Sequence, residues 1–142
     1  MKIQNTGNES ALRNTPDRGL RIRWAVRFSR RPVVDVCARI PGTQRPEKWI
    51  VIGSHRDSVN RGALDPGSGH MVLQEIGTVL AAWRNKGWRP RRSILMCSWD
   101  AEEFGFIGSV EWIEENIKEL KNKVEAYINL DSCFMDCYKM HR

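Results

Sequence analysis

Three short apolar runs, at 49–54, 93–99 and 126–130, are separated by two stretches with helical spacing, and each run leads into a side chain that can bind metal or carry a proton. Trp49-Ile50-Val51-Ile52-Gly53-Ser54 is apolar without alternation, the mark of a strand covered on both faces. It leads to His55. The run 93–99 leads to Asp100, Glu102 and Glu103, and the run 126–130 leads to Asp131. Between them, 68–85 carries Met71, Val72, Ile76, Val79, Leu80 and Trp83 at helical intervals, Gly87 stops that pattern, and 110–123 reads as a second helix. Strand, helix, strand, helix, strand predicts an α/β protein, a mixed, largely parallel central sheet with helices on its faces. Upstream, Ile22, Trp24, Val26 and Phe28 alternate, and a second run over 33–40 ends at Pro41-Gly42, which predicts two more strands with a turn at Arg31-Pro32. Residues 1–20 are polar and poor in large apolar groups, so they read as a poorly ordered lead-in.

The size, 142 residues, suits one domain or part of one. With 41% hydrophobic and 28% charged residues the composition is that of an ordinary globular chain, which excludes a disordered class. No apolar run approaches the roughly 18 residues of a membrane span, and the polar start lacks the apolar core of a signal peptide. The net charge of +6 is concentrated at Arg30-Arg31 and at Arg89, Arg91 and Arg92. This reads as a solvated basic surface, with no nucleic-acid partner expected. Cys37 and Cys97 lie inside apolar runs and read as small core residues, a Cys133 to Cys137 bridge is open, and the four cysteines leave the redox compartment undecided.

In open α/β sheets, function gathers beyond the carboxyl ends of the strands. Taken alone, a histidine at a strand end is commonly a surface side chain, an aspartate before proline is turn chemistry, and paired glutamates near a helix start complement its dipole. Three runs delivering such groups to one edge point instead to a metal centre. Imidazole and carboxylate oxygens suit zinc, and Asp65, in a loop beside His55, is placed to bridge two ions. Of Glu102 and Glu103, one can coordinate metal while the other takes a proton from metal-activated water. Asp57 can hydrogen-bond the imidazole or a neighbouring ligand.

These motifs carry a resemblance. His55-Arg56-Asp57-Ser58, Leu64-Asp65-Pro66, Gly87-Trp88-Arg89-Pro90-Arg91-Arg92, Trp99-Asp100-Ala101-Glu102-Glu103-Phe104-Gly105 and Tyr127-Ile128-Asn129-Leu130-Asp131 together resemble the glutamate carboxypeptidase II and N-acetylated-alpha-linked acidic dipeptidase family of co-catalytic dizinc peptidases. The likeness spans roughly the last two-thirds of the chain. It implies a three-layer sandwich of the zinc aminopeptidase-like peptidase fold, truncated, with 21–142 as the N-terminal part of a zinc peptidase domain. It further implies two zinc ions, His55 and Asp131 on one, Glu103 on the other and Asp65 bridging. Glu102 would be the general base and Asp57 the active-site aspartate. The substrate class implied is a peptide, often with a C-terminal glutamate, the setting an extracellular catalytic domain at the plasma membrane, and the complete proteins homodimers.

The chain departs from the family pattern in lacking the downstream histidine of the second zinc. His70 sits within the first predicted helix, and His141 follows Asp131 too closely. The arginine pocket for substrate carboxylates, the dimerisation region and the membrane anchor are also missing, so this chain is expected to be inactive by itself and not to dimerise. Arg89, Arg91 and Arg92 are no substitute for that pocket. About seven strand residues at about 3.3 Å each put them some 20 Å from the ligands. Two other readings stand beside this one: a non-catalytic module like the transferrin receptor, which shares the fold without the metal ligands, and an aminopeptidase of the same superfamily.

Overall fold

The computed structural model describes residues 29–133. The expected lead-in over 1–20, the strand over 22–28 and Cys137 lie outside the described residues. Contacts divide the chain into Met1–Pro32 and Val33–Arg142, and every element among the described residues belongs to the second unit. Its order is β1 (Val36–Ile40), β2 (Arg45–His55), α1 (Gly67–Asn85), β3 (Arg92–Trp99), a 3₁₀ turn (Glu102–Phe104), α2 (Ile107–Lys123) and β4 (Val124–Asn129). The spatial order of the sheet is β1-β3-β2-β4. β2 runs parallel to both β3 and β4, and β1 is antiparallel on the edge, which bears out the mixed, largely parallel sheet.

Side-chain alternation sorts the two helices to opposite faces. Val51, Leu95, Cys97 and Trp99 share a core with Leu120 and Trp112 of α2. Met96 points the other way and meets α1 at Gly77, where a methyl group would touch the methionine's end. A β2-α1-β3 crossover on one face and a β3-α2-β4 crossover on the other keep both connections right-handed. The chain therefore reverses direction between the carboxyl ends of β2 and β3, the crevice where open α/β sheets bind their ligands.

Two local expectations are corrected. Cys37 and Cys97 are not separate core thiols: the antiparallel register sets them opposite each other and they form a disulfide. Strand register is a tertiary property, so two cysteines 60 residues apart carried no sign of it. The second helix begins at Ile107 rather than 110, with Gly108 in its first turn. A Cβ there would run into the Asp35 carboxylate and the Asp100 carbonyl, so glycine permits the close approach.

Candidate metal centre

β2 delivers His55 and β3 delivers Trp99 side by side at the crevice. His55 is 5% exposed. Its Nε2 stands 3.1 Å from Asp65 Oδ1 and 3.3 Å from Asp131 Oδ1. One ring nitrogen offers one proton at most and cannot satisfy two carboxylates, whereas a cation between the three can. Ligand atoms of His55, Asp65 and Asp131 lie within 4.8 Å of one another, so the group could hold a metal ion. The donor chemistry, one imidazole and two carboxylates, fits zinc or another divalent ion that accepts nitrogen and oxygen.

The other face of the imidazole looks toward Asp57 Oδ1 at 3.6 Å and Glu102 Oε2 at 3.8 Å. Nδ1 is buried with no hydrogen-bond partner among the described residues. Burial lowers the His55 pKa, but the Asp131 hydrogen bond and the charges of Glu102, Asp131 and Asp65 outweigh it and leave it above 6.5. Glu102 moves up from the ordinary carboxylate range chiefly through burial; His55 pulls it down, while Glu103, Asp131 and Asp57 add to the rise. A proton is thus held more readily at both groups than in water.

The turn that presents Glu102 is braced from two sides. Asp57 accepts from the backbone amides of Glu102 at 2.9 Å and Glu103 at 3.2 Å. On the opposite flank, Asp35 accepts from the Asp100 amide at 2.8 Å, and Asp100 accepts from Val34 N at 3.2 Å and Ala101 N at 2.9 Å. Arg56 pairs with Asp100 at 3.3 Å and donates to the carbonyls of Ser98 and Val34. Between these braces Ala101 and Phe106 adopt left-handed backbone, φ 55° and 58°. Such a conformation is disfavoured for residues with a Cβ and persists where surrounding bonds over-determine it.

Of the six candidates, then, His55, Asp65 and Asp131 converge and Asp57 and Glu102 stand against the same imidazole. Glu103 stands apart from the three-residue group, its Oε1 accepting from the Val59 amide at 3.0 Å. Asp100, a strand-end carboxylate like the others, is committed to Arg56 and backbone amides. Sequence reasoning missed the roles of Asp35, Arg56 and Asp100. The one available signal was an Arg beside His55 and an Asp following a strand, which together allow an ion pair across neighbouring strand ends. His70, read as a non-ligand within a helix, lies on α1 outside the converging group. A cleft of about 320 Å³ opens beside the site, lined by His55, Glu102 and Asp131 together with Phe106, Tyr127 and Asn129.

Comparison with known proteins gives the chain's family. The family model for Peptidase family M28 matches residues 35–139. A protein described as probable glutamate carboxypeptidase VP8 from Zea mays is 46% identical over 97 residues, 68% of this chain and 14% of that protein. Aminopeptidase NAALADL1 from Mus musculus is 48% identical over 106 residues, 74% of this chain and 14% of that protein. The crystal structure of a Peptidase M28 precursor from Shewanella amazonensis SB2B superposes with a TM-score of 0.55 at 27% identity, covering 69% of this chain and 21% of that one. The chain spans about one seventh of the length of these curated relatives. Sequence and fold together make this chain a member of peptidase family M28.

Proposed function

We propose that the chain carries the principal half of a dizinc exopeptidase centre of the glutamate carboxypeptidase type. The observation that carries this reading is the convergence of Asp65 and Asp131 on His55 Nε2, with Glu102 at the other edge of the same ring. His55 and Asp131 would hold one zinc, Asp65 would bridge, and Glu103 would serve the second. Bound there, zinc supplies a Lewis acid that polarises the scissile carbonyl and makes water acidic enough to ionise near neutral pH. Glu102, partly buried at the cleft wall with a raised pKa, accepts the proton of the attacking water and returns it to the leaving amine. Asp57 keeps Glu102 in place through its backbone amide and stands 3.6 Å from His55 Nδ1, so that a small closure would let the carboxylate orient the ligating imidazole.

The substrate class we assign is a peptide with a C-terminal glutamate, as the names of several relatives suggest. An aminopeptidase is the second reading, favoured by the mouse relative's description. A non-catalytic receptor-like module is disfavoured by the convergent donors. The Cys37–Cys97 disulfide supports an oxidising compartment, in line with an extracellular catalytic domain.

Elemental analysis of the zinc-loaded chain after dialysis against metal-free buffer tests the assignment. One zinc per chain is expected, retained in Glu103→Ala and lost in His55→Ala and Asp131→Ala. Zinc that survives His55→Ala would sink it. Assays with an N-blocked dipeptide ending in glutamate, beside one with a free amino terminus, separate the two specificities: turnover of the first alone supports the carboxypeptidase reading, and turnover of the second alone the aminopeptidase reading.

A further inference from the structure

Gly53 sits inside β2, where a glycine weakens a strand and calls for a reason. A Cβ there would collide with Trp99 Nε1 and Tyr127 Oη, so the glycine clears the space in which these two side chains meet above the sheet. Trp99 Nε1–H donates to Tyr127 Oη at 3.0 Å, and the tyrosine hydroxyl donates to Asn129 Oδ1, also at 3.0 Å. The relay ties the end of β3 to the end of β4 across β2. The next backbone amide, Leu130 N, donates to the Gly53 carbonyl at 2.8 Å. Asp131 follows immediately, and beyond it Cys133 N donates to Ser68 Oγ at 2.9 Å. The segment carrying Asp131 is thus held downstream by α1 and upstream by the relay over Gly53. Trp99 is 4% exposed, which gives the relay a rigid origin.

We propose that Tyr127 is a positioning residue whose hydroxyl, held by Trp99 and holding Asn129, sets the place of Asp131 against His55. The role assigned to it runs through Asn129 and the segment that carries Asp131. The inference rests on the reading of Asp131 as a metal ligand, and Gly53 belongs to the same device because any larger residue would displace the hydroxyl.

The test is zinc affinity of the 142-residue chain, measured by competition with a chromophoric chelator. Tyr127→Phe keeps the ring and removes both hydrogen bonds, and should weaken zinc by about tenfold, the lower end of what loss of a group supporting a ligand costs. Asn129→Ala should do the same. Because the two act in series, the double variant should be no weaker than either single one, a saturation that general loosening of the fold does not produce. Unchanged affinity in Tyr127→Phe, or a double variant whose loss is the product of the single losses, would overturn the proposal. Asp131→Ala separates the two readings. If it leaves zinc binding intact, the ligand reading fails and takes this inference with it; if it abolishes binding while Tyr127→Phe does not, only the positioning role fails.

Discussion

At the residue scale the centre is a contest over one proton. Above pH 6.5 the folded, metal-free chain still holds a proton on His55 that the unfolded chain has released. His55 therefore stabilises the metal-free fold below 6.5, and that contribution is lost as pH rises through its folded pKa. Glu102, also raised, acts with the same sign above its unfolded value of 4.5. His70 has the opposite sign: burial, with the charges of Arg56 and His55, lowers its pKa, so its effect lies below 6.5 and opposes theirs there. Above 6.5 His55 decides. Zinc requires the neutral imidazole, so binding strengthens over the same interval. Thermal melts should therefore show opposite trends from pH 6.5 upward, falling Tm in chelator and rising Tm in excess zinc. Parallel trends would remove His55 from the metal site.

At the element scale, small residues and a covalent tie decide where the site's supports can stand. Gly108 lets α2 begin against Asp35 and Asp100, the pair that braces the Glu102 turn. Gly108→Ala should cost about 1–3 kcal/mol of unfolding free energy, the usual penalty of overpacking, read from the denaturant midpoint. A loss near zero would mean that the approach of α2 relaxes without consequence. The Cys37–Cys97 bond fastens the antiparallel edge strand β1 to β3 and closes a separation of 60 residues. On the chain-entropy account its reduction should remove about 4 kcal/mol, measured as a lower midpoint in reductant. The strand it secures also leads in from Val34 and Asp35, so reduction should loosen the turn beside Glu102 before the distant end of the sheet, a sequence that hydrogen exchange would resolve.

At the scale of the whole molecule, charge and apolar surface are both unevenly spread. His55 and the end of β3 lie at one end of the sheet, while Arg92 begins β3 at the other and pairs there with Glu125. The arginines at 89, 91 and 92 therefore belong to the far side from the metal centre, as strand length alone required. Along α2, Val110, Ile113 and Ile117 are 40%, 43% and 52% exposed, and beside them runs an apolar hollow of about 350 Å³ floored by Trp112, Leu120 and Tyr127. Contiguous apolar surface of this kind promotes self-association. Sedimentation should show concentration-dependent association at tens of micromolar, on the order at which exposed apolar surface drives aggregation, reduced by Ile117→Lys, and a strictly monomeric chain would show that this surface is too small or too mobile to act.

Much of the site was legible in the sequence because parallel strands have a simple rule: a residue that follows an apolar run emerges at the carboxyl edge. His55, Asp57, Asp65, Glu102 and Asp131 gather there for that reason, and the alternation of strand and helix determined the layers. What only the tertiary structure decided was everything that depends on register and close approach. Cys37 meets Cys97 because β1 pairs antiparallel with β3. Arg56 reaches Asp100 because two strands end side by side, and Tyr127 reaches Asn129 and Trp99 because Gly53 leaves room above β2. Apolar periodicity specifies which way a side chain faces, but neighbours across strands are specified by hydrogen-bond register, a relation between distant segments that no local pattern records.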